Sequence, residues 1–530
     1  MNLEPVIGLE IHVQLKTQSK MFCACDNRGE DRPINSTICE ICMGHPGTLP
    51  SVNRTAVEWG VKTAFALACA ISSESKFDRK HYFYPDLPKG YQISQYDQPL
   101  GRNGFLLIKT DRVDESSARK GFARIRIHRL HLEEDAAKLL HDPRGGNSMV
   151  DFNRAGTPLM EIVTEPDIRT SAEAGAFLKE LRLLMRILCV SSADMEKGHL
   201  RADANISLRP SGESALYPKT EIKNLNSFRS VESALDFEIE RQSELWRKGS
   251  PPKTHSTRGW NHDLGRTVLH RAKESAHDYR YFQEPDIVPL KIRIDNETDF
   301  SGVHLAIHNE HTISLSHLTR ALPELPHAKR LRFMEEYGLE YENALILTSE
   351  TFLPEFFEKA ISELKAWLIA RETVPVSEKN GKNMHDERSA EITRLATGLL
   401  INKLGALVHA SGTGWKSLKI TPENFAELVA LVFEKKISSS GAVAILEEMS
   451  RTGADPCAIR DQKGLAQVDD SVLLEKSVSS VLARNPDIVD SYKKGNTNVV
   501  QFLVGEVMRE TKGQANPEIV RDLFTSSLEK

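Results

Sequence analysis

Val6-Ile7-Gly8-Leu9-Glu10-Ile11-His12-Val13-Gln14-Leu15 is the stretch that decides how this chain is read. Ile7, Leu9, Ile11, Val13 and Leu15 fall on one side of an extended backbone; Gly8, Glu10, His12 and Gln14 fall on the other. That is the period of two of a half-buried strand, with an apolar face for a core and a polar face left over. Residues 203–209 repeat the device, with Asp203, Asn205, Ser207 and Arg209 alternating with Ala204, Ile206 and Leu208. Residues 220–225 put Glu221 and Lys223 on one face. Helical patterns lie between and after them. Ser171 is placed to cap a helix carrying Phe177, Leu178, Leu181, Leu184, Met185 and Leu188, and residues 229–247 form another that ends near Gly249 and Pro251-Pro252. The fold class is therefore α+β, with a mostly antiparallel sheet in the N-terminal half.

Beyond about residue 293 the strand patterns fade. Residues 318–371 and 386–410 read as helical, and the polar stretch 373–386, with Pro375 and Gly381, reads as a surface linker. Residues 421–530 read as short helices: Pro422 follows Thr421 at one start, and Ser438 to Gly441 open another. Residues 512–517 read as a loop before a last helix. The expected organisation is a domain over 1–292, a helical domain with its linker over 293–382, and a helical tail over 383–530. From residue 411 to the end there are 15 basic and 17 acidic residues, a balance that suits a binding appendage rather than a catalytic one.

A chain of 530 residues is too long for one core. Its 69 Lys and Arg against 74 Asp and Glu, a net charge of −5, exclude a uniformly basic nucleic-acid coat, so any RNA contact must be local. The longest apolar run, 64–71, is far below the roughly 20 residues that cross a bilayer, so no membrane span is expected. No basic-then-apolar leader precedes the first strand, and the expected location is the cytoplasm.

Four of the seven cysteines, Cys23, Cys25, Cys39 and Cys42, lie close together as C-x-C and C-x-x-C pairs. Without an export signal, clustered thiols point to a metal rather than to disulfides. Two such pairs can set four thiolates tetrahedrally around Zn²⁺ with no position open to water, which makes the site structural. The alternative is four ordinary buried thiols.

Glu10, His12, Asp203, Asn205 and Glu221 all project from non-core strand faces, and Glu133-Glu134-Asp135 close the strand-like run 124–132. Converging carboxylates raise one another's pKa unless a cation sits among them, and an oxygen-rich set suits Mg²⁺. The alternative is a solvated sheet face. Residues 76–98 interleave aromatic and basic side chains, either to stack bases and neutralise phosphates or to pack rings on the sheet. The chain shows no Walker lysine loop, dinucleotide fingerprint or nucleophile elbow. Ser438-Ser439-Ser440-Gly441 is faintly similar to the serine-rich stretch of amidases, but a helix cap explains it better.

The opening strand resembles that of the B subunits of aspartyl/glutamyl-tRNA(Asn/Gln) amidotransferases. So do 76–96, His131 to Ala136, Asp151 to Glu161, Arg201 to Ser207, Glu221 to Phe228, 278–286, Phe502 to Gly505 and 512–517, and the resemblance runs essentially from residue 3 to 528. It implies a catalytic half similar in fold to glutamine synthetase and guanidino kinases. It also implies ATP-dependent phosphorylation of the side-chain carboxylate of Glu-tRNA(Gln) or Asp-tRNA(Asn), followed by amidation with ammonia. His12, Glu134 and Glu221 match the family's Mg²⁺ ligands, with Glu10, Asp203 and Asn205 around them; spacing does not settle which of Glu133 and Glu134 points inward. Lys80 and Lys89 are the weaker candidates for phosphate or acceptor-end contacts. Cys23, Cys25, Cys39 and Cys42 match a zinc position that only some members have. The implied partners are the amidase (A) component of a heterotrimer, which supplies ammonia, its small C component, and the misacylated tRNA.

Overall fold

The computed structural model describes residues 2–112, 120–141, 145–272, 279–293, 312–314, 320, 322–371, 379–466, 471–493, 499–511, 515 and 517–528. They divide into two compact units, Met1–His327 and Ala328–Lys530.

The first unit is built on a nine-stranded sheet. In chain order its strands begin with β1 (Leu3–Gln14) and β2 (Ala70–Ile71). The short β3 (Glu74–Ser75), β4 (Asp78–His81) and β5 (Tyr91–Ser94) belong to smaller sheets. Then come β6 (Gly101–Lys109) and β7 (Phe122–Glu134), a hairpin of β8 (Lys138–His141) and β9 (Ser148–Asp151), and β10 (Pro158–Thr164). The last four are β11 (Leu200–Pro210), β12 (Thr220–Lys223), β13 (Ser256–Asn261) and β14 (Arg266–Ala272). The order across the sheet is β14-β13-β12-β11-β1-β10-β7-β6-β2, antiparallel except at β12/β13. β1 is thus central, and β11 and β10 pair with it on either side.

The alternation in β1 has its expected consequence. Ile7, Leu9, Ile11, Val13 and Leu15 are buried in a core shared with α1 (Arg54–Ala66), α2 (Ser171–Ile187) and α3 (Phe228–Arg247), while the even-numbered residues lie on the opposite face. Helices cover one side of the sheet and the polar face is left on the other. α2 is capped one residue before the expected position: Thr170, with extended backbone, accepts from the Glu173 N–H, and Ser171 is already helical and donates to Asp236. Thr421 and Ser438 cap their helices as the sequence suggests.

Four boundaries move. β7 runs on through Glu134, past the expected end at 132. A short strand, Thr312–Ser314, lies beyond 293, too brief to carry a periodicity. The 318–371 stretch is interrupted: Arg320 is helical, residues 322–325 are not, and a helix starts at Pro326, with 318, 319 and 321 outside the described residues. Part of the expected linker 373–386 is helix from Lys379, a single glycine being worth only about 1 kcal/mol against a helix; residues 372–378 lie outside the described set. Of 512–517 only Ala515 and Pro517 are described.

The second unit is helical and holds two cores. One is built from residues between Phe333 and Leu465, with Leu353–Arg371 and Pro422–Phe433 contributing to it. The other lies between Leu474 and Leu528. No described helix is long and apolar enough to cross a membrane.

Candidate functional site: an acid and imidazole cluster on the polar sheet face

Strand register assembles the site. His12 on β1 sits opposite Glu161 on β10, and Glu161 sits opposite His131 on β7. Glu10 sits opposite Asp203 on β11, and Asn205 opposite Glu221 on β12. All of these share the face away from the helices, as residues in register on one face must.

Around His12 the groups converge. Its Nε2 lies 3.5 Å from Glu161, 3.6 Å from Glu133 and 3.9 Å from Glu10. His131 Nε2 lies 3.2 Å from the same Glu161 oxygen and 3.7 Å from Glu133. Ligand atoms of Glu10, His12 and Glu161 all fall within 4.8 Å of one another, and so do those of His131, Glu133 and Glu161. Burial by itself would drive both imidazoles neutral, but the facing carboxylates reverse it and raise both, His131 to about 9. Burial and Glu161 raise Glu10, whereas the imidazoles hold Glu161 well below the usual carboxylate range in spite of its burial.

Three carboxylates gathered on two imidazoles form a set that a divalent cation fits, since it would neutralise the converging carboxylates. The Nδ1 of His131 is buried without a hydrogen-bond partner among the described residues, and the ring's Nε2 faces Glu161 and Glu133. Basic groups frame the cluster. Burial would lower Lys80, but Glu133, Tyr281 and Glu161 raise it overall, and its ammonium lies 5.1 Å from the centre of the Tyr279 ring. Arg201, opposite His12, donates to the buried Asp135 at 2.7 Å, and Gln14 donates to the same oxygen at 2.8 Å. Lys223 stands 2.7 Å from Asp203 and 3.1 Å from Glu221, and the Thr257 hydroxyl donates to Glu221 at 2.9 Å.

A second cluster lies in the loop after β1. One sulfur from each of Cys23, Cys25, Cys39 and Cys42 falls within 4.8 Å of the others. Contact with the Cys23 thiol lowers Cys42 to about 5, and burial pushes Cys25 up to about 12, as for thiols sharing their protons. The loop is a candidate metal site.

Residues 5–297 match the GatB/GatE catalytic domain and residues 384–528 the GatB domain. The B subunit of the aspartyl/glutamyl-tRNA(Asn/Gln) amidotransferase of Persephonella marina is 42% identical over 528 residues, covering all of both chains. The chain belongs to this family of B subunits. The corresponding proteins of Caldanaerobacter subterraneus and Thermotoga maritima are 41% and 43% identical, again over the full length of both chains.

Not every residue singled out by likeness to these B subunits joins the cluster. Glu134 does not: successive strand residues point to opposite faces, and it is Glu133 that reaches His12. The carboxylate of Glu134 is taken by Lys89 and by the N–H of Ile93. Lys89 is therefore drawn to that side too, against a cavity of about 300 Å³ that Cys23, Cys42 and Glu134 also line. Asp203, Asn205 and Glu221 keep the expected face but stand one and two strands from β1, so Glu221 lies about 10 Å across the sheet from the His12 strand. Glu161 and His131 carry no role in the sequence reading. Their available signal was a lone carboxylate in the apolar run Pro158–Thr164 and a histidine two residues before Glu133.

Proposed function

We propose that the chain is the B subunit of a tRNA-dependent amidotransferase. It phosphorylates the side-chain carboxylate of Glu-tRNA(Gln), Asp-tRNA(Asn) or both with ATP, and an amide forms when ammonia displaces the phosphate. The convergence of Glu10, His12 and Glu161 ligand atoms within 4.8 Å on the sheet face away from the helices carries this reading. Glu10, His12, Glu133 and Glu161 would hold Mg²⁺, with Asp203, Asn205 and Glu221 beside them. When bound, the ion supplies charge neutralisation for phosphate oxygens.

The chain's own groups do the rest. Lys80, kept charged by Glu133 and Glu161, meets the negative oxygens of the transferring group. Asp135 and Gln14 together hold Arg201 and the edge of the site in place beside His12. Carboxylate oxygen is a poor leaving group and phosphate a good one, so positioning plus charge stabilisation is the main demand on the protein. The catalytic domain over 1–292 is read as one of the glutamine synthetase or guanidino kinase type, a reading that the mostly antiparallel sheet supports. The helical part 293–382 and the tail 383–530 would engage the tRNA body through shape and backbone phosphate. Ammonia would come from the amidase (A) component of the assembly, braced by its small C component. Cys23, Cys25, Cys39 and Cys42 would hold a structural Zn²⁺.

The test is reconstitution with the amidase partner, ATP and Mg²⁺, comparing Glu-tRNA(Gln), Asp-tRNA(Asn) and free glutamate. ADP release and amide formation only with an aminoacyl-tRNA are expected. Equal ADP release with free glutamate would instead make the chain a small-molecule carboxylate kinase.

A further inference from the structure

The polar face of β1 does not stop at His12. Gln14 and then Lys16 continue it into a cavity of about 410 Å³, bounded also by the cysteine loop and the segment before β11. Lys16, Arg28, Arg32, Lys138, Arg154 and Lys197 all line this cavity. Arg28 and Arg32 are engaged by Asp26, each at 3.1 Å. Arg154 donates to the carbonyls of Ala136 and Ala137. The acids of the wall are largely occupied as well: Glu30 accepts from His199, and Asp151 accepts from the N–H groups of Asn35 and Asn153. Asp31 acts on Arg28. Lys16, Lys138 and Lys197 are left with no carboxylate partner among the described residues.

Three unmatched ammonium groups around one cavity repel one another and are relieved by an anion. The wall offers a further contact. Glu30 accepts from His199 Nε2–H, and the other ring nitrogen, Nδ1, is hydrogen-bonded to the Ser192 hydroxyl at 2.6 Å. The exposed Ser192 oxygen has two lone pairs and so keeps acceptor capacity, the complement of a ribose hydroxyl. The cations are flexible lysines rather than a run of backbone N–H groups, which suits a phosphodiester chain better than a polyphosphate cradle. Lys16 is four residues from His12, at most about 13 Å along the strand, so a chain held here can present its end at the acid cluster.

Resting on the function proposed above, the geometry points to this cavity as the seat of the phosphodiester backbone near the single-stranded 3′ end of the RNA substrate. It holds the terminal aminoacyl ester over Glu10, His12 and Glu161.

The experiment uses the full chain assembled with its amidase partner and two RNA hairpins of the acceptor stem, one ending in the single-stranded 3′ nucleotides and one blunt. Combining Lys16→Ala, Lys138→Ala and Lys197→Ala is expected to raise Kd for the first hairpin at least tenfold. It should leave Kd for the blunt hairpin and KM for ATP unchanged, and lower the salt slope by about one per lysine. The corresponding triple arginine variant, which keeps the charge, should bind the first hairpin as the native chain does. An unchanged Kd for both hairpins overturns the assignment, and so does a raised KM for ATP with RNA affinity intact, which would give the cavity to nucleotide phosphates. Failure of the native complex to form amide would sink the function itself; normal amidation with unchanged RNA affinity in the variant sinks only this cavity's role.

Discussion

Glu133 and Glu134 are the same amino acid in adjacent positions, and strand geometry alone separates them. Their resolution depends on β7 continuing to Glu134, which sequence spacing does not fix to the residue. Mn²⁺ titration is expected to show at least about tenfold weaker binding for Glu133→Gln, because a carboxylate that faces both histidines is lost, and no change for Glu134→Gln. Equal losses in the two variants would remove Glu133 from the ligand set. The polar face of β1 was legible because period two is a local property. Glu161 was not, since its strand is buried on both faces and reads as core. Its carboxylate touches both imidazoles, so Glu161→Gln should lower ATP-dependent phosphorylation of aminoacyl-tRNA by about 10²-fold. The melting temperature should fall as well, because the amide keeps the shape but removes the carboxylate that faces two buried imidazoles, so activity is compared at a temperature where the variant is folded. Turnover near the native rate in that variant would exclude Glu161 from the reaction.

At the scale of the element, the cysteine loop shows what spacing reveals and what it hides. The two thiol pairs are readable in order, and they do meet. The clamp that shapes the chain between them is not readable, because Asn153 comes from 116 residues away. Its amide accepts from the Thr37 N–H at 2.9 Å and donates to the carbonyls of Gly29 and Pro33 at 3.2 and 2.7 Å. Asn153→Ala takes the acceptor from the buried Thr37 N–H, while the Gly29 and Pro33 carbonyls keep the Arg32 and Ser36 donors, and is expected to cost about 1–3 kcal/mol in chemical denaturation. The metal content of the purified protein should not change, since no thiol is touched. Cys25→Ser should do the reverse to the metal: zinc falls from one per chain to none, because three thiolates lose the closed tetrahedral site. Full zinc occupancy in Cys25→Ser would mean that the four sulfurs do not share an ion.

On the scale of the whole chain, the fading of strand patterns made the helical second half legible, but not where its cores divide. The core between Phe333 and Leu465 draws on both sides of residue 382, because helix–helix packing pairs segments that no local pattern connects. A cut near residue 382 or 410 would therefore open that core. A cut after residue 466 would remove only the last one, between Leu474 and Leu528. Deleting 467–530 is accordingly expected to leave a folded chain that still binds Mn²⁺ at the acid cluster with native affinity. If the tail grips the tRNA body, affinity for full-length tRNA should fall at least about tenfold, with a shallower salt dependence. Affinity for the acceptor hairpin, whose contacts lie in the first unit, should stay as it was. Native affinity for full-length tRNA in the shortened chain would remove the last core from recognition and leave the body of the RNA to the helices between Phe333 and Leu465.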